Sequence, residues 1–214
     1  MKKPSLLYCA SQSSTRHTLL RDAGISFKVI PISVDEEDAD ATGSASQRAV
    51  QIAQYKHIGI DVPALIAAHE ESKEAIFLLS VDTIIQGLAD GQQFTKPTSR
   101  EHAIAMLRAI SSQETLVATG MCLSVWQYNE QEEGWYSAAF EAWVCETRII
   151  FSVPDNEIDW YFEHHPIAFK ACGATAGEGR GALYFKHING SYSGALGLDL
   201  YSLRERLLKY GFVF

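Results

Sequence analysis

The sequence predicts an α/β fold, and three observations carry that prediction. Short β-rich runs alternate along the chain with segments whose apolar residues recur at helical spacing. Hydrophobic residues make up 47% of the chain and charged residues 21%, which suits a globular protein and neither a disordered nor a membrane-spanning one. The 214 residues show no internal repeat and suffice to bury a sizeable core, so a single domain over 1–214 is expected.

Taken in order, Leu6 to Ala10 reads as a buried strand, followed by a polar cluster and a helix that carries Leu19, Leu20 and Ala23 and stops at Gly24. Phe27 to Ile32 reads as a second strand. The acidic stretch Val34 to Asp40 and the small residues after it make a loop, with Ser46 as the N-cap of the next helix. That helix sets Ala49, Ile52, Ala53 and Lys56 at i, i+3, i+4 and i+7, which puts a lysine on an apolar, inward face. Ile76 to Ile85 is a strand holding one charge, Asp82. The Asp90-Gly91 turn follows, and Lys96-Pro97 ends the hairpin.

Thr98 and Glu101 read as a capping box for a helix built on Ala103, Met106, Leu107 and Ile110. Thr115 to Tyr128 and Trp135 to Ser152 are two long β-rich runs joined by a polar turn, a hairpin or meander. Pro154 and Asp155 open a short helix through Phe162. Gly173 to Gly181 is glycine-dense, Leu183 to Ile188 is a strand, and Asn189-Gly190 turns the chain. The last helix, Leu200 to Lys209, buries Leu200, Leu203 and Leu207.

A formal net charge of −8 argues against a broad face for a nucleic acid polymer, while a small basic pocket for a small anion stays compatible with it. Cys9, Cys122, Cys145 and Cys172 lack metal-ligand spacing and read as buried free thiols. The apolar run near the start is too short for a signal-peptide core, and no later run is long enough to span a membrane. A cytoplasmic protein with no membrane partner is therefore expected.

Four segments carry candidate chemistry. Ser11 to Arg16 gathers hydroxyls, including those of Ser11 and Ser13, with backbone N–H groups and one arginine at a helix start; such a place favours phosphate, and the plain alternative is an ordinary N-cap. Val81-Asp82-Thr83 sets a carboxylate in an apolar strand, where it needs a cation, a metal or a donor beside it. Lys96 reads either as a phosphate contact or as a solvated lysine before a turn. Gly173 to Gly179 allows close backbone approach to a ligand, holds Glu178, and is not a Walker A motif.

Together and in order, these segments resemble the Maf family of nucleotide pyrophosphatases. LYCASQSSTRHTLLRDAGISFKVI is similar to the family's opening strand, S-x-S-P-x-R loop and helix; SVDEED to its V-D-E segment; IAQYK to its L-A-x-x-K-A helix. LLSVDTIIQGLADGQQFTKP resembles its D-T-V-V, D-G, G-K-P run, and GEGRGALYFKHINGSYSGALGLDL its Q-G or E-G loop and I-x-G-x-Y-x-x-V-x-G-L-P-L ending. The resemblance implies a central mixed sheet flanked by helices, two lobes around a cleft, a homodimer, and hydrolysis of a nucleoside triphosphate between its α and β phosphates. By position it points to Ser11, Arg16, Glu36, Lys56, Asp82, Lys96 and Glu178. Arg16, Lys56 and Lys96 suit charge neutralisation at the triphosphate. Glu36 and Asp82 suit Mg²⁺ or Mn²⁺ as hard oxygen ligands, and Asp82 also suits the work of orienting or deprotonating water.

The departures are specific. Thr15, Arg16 and His17 stand where the family often has adjacent arginines, Phe169 to Cys172 does not reproduce its D-K-A-G segment, and Asp199 replaces the proline of G-L-P-L. Glu178 stands where one branch of the family has glutamine and another glutamate. A carboxylate that only accepts hydrogen bonds points to a guanine-type base such as 7-methyl-GTP, while Asp82-Thr83 resembles the branch acting on dTTP and UTP. A silent nucleotide-binding regulator of cell division and a structural dimerisation module are the rival readings.

Overall fold

The computed structural model describes residues 3–35 and 38–214. Its main elements run β1 (Leu7–Ala10), α1 (Ser14–Asp22), β2 (Phe27–Val29), α2 (Ala45–Ile58), α3 (Val62–Ala68), β3 (Ile76–Gly87), β4 (Gln93–Phe94), α4 (Arg100–Ser111), β5 (Thr115–Asn129), β6 (Gly134–Phe151), α5 (Ile158–His164), β7 (Phe185–Asn189), α6 (Tyr192–Ala195) and α7 (Leu200–Lys209). One sheet of seven strands has the order β2-β1-β3-β5-β6-β7, with β4 on the far part of β3. β1 is parallel to β2 and β3, whereas β3, β5, β6 and β7 form an antiparallel meander. The sheet is mixed, as the fold class requires.

The alternation along β3 organises the interior. Phe77, Leu79 and Val81 join Leu20, Leu203 and Leu207 in a core under α1 and α7. Ile76 and Leu78 pack on the opposite face against Ile30, Ile60 and the side chains of α3, and Ile84 packs there against Ala45 and Ala49 of α2. A separate core gathers Ile85 and Phe94 with α4, α5 and the short 3-10 turns between Pro166 and Tyr184. Ile167 and Phe169 of this core and Ala10 and Ile30 of the cluster that holds Ile76 and Leu78 line one cleft.

Local geometry corrects several sequence expectations. Ser44, not Ser46, caps α2, through a full capping box with Gln47. Ser99 rather than Thr98 caps α4 by accepting from the His102 N–H. β2 is three residues long, and the chain stays in a 3-10 turn through Tyr184 before β7 starts at Phe185, leaving Leu183 exposed. α3 is an added helix, capped by Asp61 and with Pro63 in its first turn, where a missing N–H costs nothing. All four cysteines are free; Cys9 and Cys122 are buried, and Cys145 and Cys172 only partly so.

The approach of α2 to the sheet depends on one glycine. α2 turns Ala45, Ala49 and Ala53 inward, and Gly120 on β5 lies beneath Ala49. A Cβ at 120 would sit 2.2 Å from the carbonyl carbon and oxygen of Ala49, so only glycine lets the backbones meet. Gly120 is also the cross-strand partner of Asp82. Overpacking of this kind costs roughly 1–3 kcal/mol, so Gly120→Ala should lower the stability by that amount in denaturant unfolding; an unchanged midpoint would show that α2 is not seated as described.

Candidate functional site

β1 ends at Ala10, opposite Ser80, while β3 continues to Gly87. Asp82 and Thr83 therefore lie just past the carboxyl end of the parallel β1–β3 pair, where connecting loops of an α/β sheet diverge and leave a crevice. A cavity of about 900 Å³ opens there. One side is formed by the loop from Ser11 into α1, the segment after β2 as far as Asp35, and the Ala195–Gly197 turn; the other by Lys96, Pro97 and the Ile167–Glu178 region. Ser11, Ser13, Arg16, Lys56, Asp82, Thr83, Lys96 and Glu178 all border this one cavity. Glu36 lies outside the described residues.

The centre of the site is an ion pair. Lys56 Nζ donates to Asp82 Oδ1 at 2.7 Å, with the two side chains only 8% and 15% exposed. The alanine face of α2 and the bare Gly120 bring the last turn of the helix close enough for this contact. The burial that the helical spacing implied for Lys56 is thus matched by a partner on the strand. A lone buried charge would cost several kcal/mol, and the pair with its hydrogen bond offsets that cost.

Arg16 is buried and is held on four sides. Its Nε donates to the Gly197 carbonyl (2.8 Å), Nη1 to Ser11 Oγ (3.0 Å) and the Val81 carbonyl (3.1 Å), and Nη2 to Thr83 Oγ1 (2.8 Å). Thr119 donates to the Gly194 carbonyl, so the Thr83 hydroxyl is the donor in the Thr83–Thr119 contact, and a chain of bonds runs from Arg16 to α6. The guanidinium thereby ties the first loop, β3 and the Gly197 turn together while keeping its charge at the cavity wall. Ser13 is the N-cap of α1, accepting from the Arg16 N–H, so the capping role and a place at the cavity coexist.

Three features of the site were not legible as a set in the sequence. The Thr15 hydroxyl donates to Glu178 Oε1 and joins the first loop to the glycine-dense loop. Lys170 and Asp35 add an exposed cation and an exposed carboxylate to the cavity wall. The Cys172 thiol donates to the Thr83 carbonyl at 3.0 Å. Burial, with some help from Asp82, pushes this thiol up to about 11 against the pull of Lys96, Arg16 and Lys56, so it remains protonated.

As donors for a metal, the carboxylates of Asp82 and Asp35 are hard oxygen ligands that suit Mg²⁺ or Mn²⁺. Among the described residues no three His, Cys, Asp or Glu side chains gather as a complete cage.

Beside the ion pair, His57 is sealed between α2 and the sheet, its Nδ1 3.0 Å from Ser80 Oγ and its Nε2 2.8 Å from Ser124 Oγ. Burial pushes this imidazole down to about 4.

A family model described as Maf-like protein matches residues 6–210. A nucleoside triphosphate pyrophosphatase of Prochlorococcus marinus is 31% identical, the alignment covering 96% of this chain and 98% of the relative. A dTTP/UTP pyrophosphatase of Hydrogenovibrio crunogenus is 31% identical with 96% of each chain covered. Another dTTP/UTP pyrophosphatase, of Xanthomonas euvesicatoria, is 32% identical over 96% of this chain and 99% of its own.

The state of His57 makes a testable pH dependence. Its folded value lies below the ordinary 6.5, so the unfolded chain takes up the proton first as pH falls. The stability it contributes is whole above pH 6.5, declines as pH falls towards about 4, and does not change further below that. His57→Gln, which cannot titrate, should flatten the acid limb of the unfolding free energy by roughly 3 kcal/mol relative to the wild type. Parallel pH–stability curves for the two proteins would contradict this.

Proposed function

The chain belongs to the Maf-like protein family, and from that premise we propose that it hydrolyses a nucleoside triphosphate to the monophosphate and pyrophosphate. The observation that carries the reading is the gathering of Arg16, Lys56, Lys96 and Asp82 around one cavity of about 900 Å³. Cations aimed at a triphosphate, with a carboxylate among them, are what phosphoryl transfer needs, since positioning and charge stabilisation supply most of its catalysis. The relatives named as pyrophosphatases align over nearly their whole lengths.

In this mechanism the triphosphate lies along the first loop, close to the amides at the start of α1. Lys96 approaches from the opposite wall, and Lys56 orients the Asp82 carboxylate. Water attacks the α-phosphorus: its oxygen forms the new P–O bond, its proton passes to Asp82, and the bond to the bridging oxygen breaks with its electron pair leaving on pyrophosphate. A divalent cation would be held by the carboxylates of Asp82 and Asp35 and would supply neutralisation of phosphate charge; the family resemblance adds Glu36, which lies outside the described residues. Arg16, with four of its five N–H donors bonded to the protein, acts as a fixed charge that also pins the Ser11–Ser13 loop.

For the base, Glu178 is the discriminating side chain. With one oxygen bonded to Thr15, its carboxylate still only accepts, and the N1–H and N2 amino group of a guanine offer matching donors. A cationic base such as 7-methylguanine gains further from the negative charge. The alternative is a pyrimidine substrate, favoured by the dTTP/UTP names of the relatives.

Pyrophosphate release with Mg²⁺ or Mn²⁺ tests the reaction. Asp82→Asn should be folded and inactive, and Lys96→Ala should lose roughly 10²- to 10³-fold in turnover, the usual cost of one donor aimed at developing charge. Near wild-type rates in both would place the chemistry elsewhere. A panel of 7-methyl-GTP, GTP, UTP and dTTP tests the base: the wild type should prefer the guanine-type nucleotides, with Glu178→Gln moving the preference towards the pyrimidines. Equal or better use of UTP and dTTP by the wild type would overturn the choice.

A further inference from the structure

We propose that His57 is a positioning residue for Lys56, a bolt through α2, β3 and β5 that fixes where the ammonium meets Asp82; this rests on the reading of the cleft given above. Lys56 and His57 are consecutive in the last turn of α2, and both are buried at 7% exposure. Asp82 and Ser80 are two apart on β3 and so face the same side of the sheet. Helix and strand are therefore joined by two adjacent polar rungs, Lys56 to Asp82 and His57 to Ser80.

The donors can be counted. The Ser80 hydroxyl donates to the Ala53 carbonyl at 2.7 Å, so towards the imidazole Ser80 Oγ can only accept, and Nδ1 carries the proton. Nε2 is then the acceptor for the Ser124 hydroxyl of β5 at 2.8 Å. Both ring nitrogens and both hydroxyls are satisfied in a buried place, where leaving any one unpaired is costly. Sliding α2 along the sheet would break all of these bonds at once. The network thus sets the helix register, and the register sets the height of Lys56 over Asp82. A shift of about 1 Å in such a group can cost as much as 10²-fold in rate.

The test is a kinetic cycle on pyrophosphate release. His57→Leu fills the space without the bonds, and should lower kcat at least about tenfold with KM within about twofold, because Lys56 no longer holds the Asp82 carboxylate in place while Arg16, Lys96 and the first loop still hold the triphosphate. His57→Gln carries a donor and an acceptor and should recover most of the loss. In a Lys56→Gln background, where the ammonium is already gone, His57→Leu should cost little more. Should His57→Leu fail to fold, Ser124→Ala removes only the Nε2 bond, and its smaller loss should likewise vanish in the Lys56→Gln background. Wild-type kcat in His57→Leu, no recovery with glutamine, or independent multiplication of the two losses would overturn the proposal. An active Asp82→Asn protein would overturn the reading of the cleft beneath it, a result distinct from any failure of the histidine cycle.

Discussion

A buried ammonium held 2.7 Å from a half-buried carboxylate sets the terms for everything around it. Neither Lys56 nor Asp82 can occupy its place alone without a large desolvation cost, so α2 and β3 must be brought together at one register. The fold does this with small residues and with polar rungs. Three alanines and Gly120 remove the volume between helix and sheet, and His57 with its two serines fixes the position along the strand. The pair then lies where the parallel strands end and the loops part, which is why it borders a cavity and is not sealed in the core.

The remaining walls are tied to this centre by bonds of high sequence separation. Arg16 joins the first loop to β3 and to the Gly197 turn, and Thr15 joins the same loop to Glu178 on the other side of the cleft. The first loop therefore touches both sides. A ligand that presses on it meets a fixed cation on one side and an acceptor carboxylate on the other. The two parts of the proposed site, one for phosphate and one for a base, are in this way joined through a single stretch between Ser11 and Arg16.

Much of this was legible in the sequence, for definite physical reasons. A lysine at helical spacing from Ala49 and Ala53 must face inward, and a carboxylate in an apolar strand must have a partner; both statements follow from desolvation alone, and the two residues prove to be partners. The alternation of strands and helices gave the α/β class because each element signals its period locally. Caps were misplaced by one or two residues at Ser44 and Ser99, since adjacent Ser and Thr residues compete for one role and tertiary packing decides between them. Contacts such as Thr15–Glu178 and His57–Ser124 join positions far apart in the chain, and a single sequence carries no signal for pairs of that kind.

The most direct test of the account is to remove both charges of the central pair. A buried ion pair replaced by apolar side chains of similar size is often neutral or stabilising, whereas loss of one partner is costly. If the pair is there for chemistry, Lys56→Met combined with Asp82→Val should unfold at a denaturant midpoint no lower than the wild type and release no pyrophosphate. A double variant that still hydrolyses nucleoside triphosphates, or one destabilised by more than about 3 kcal/mol, would contradict it.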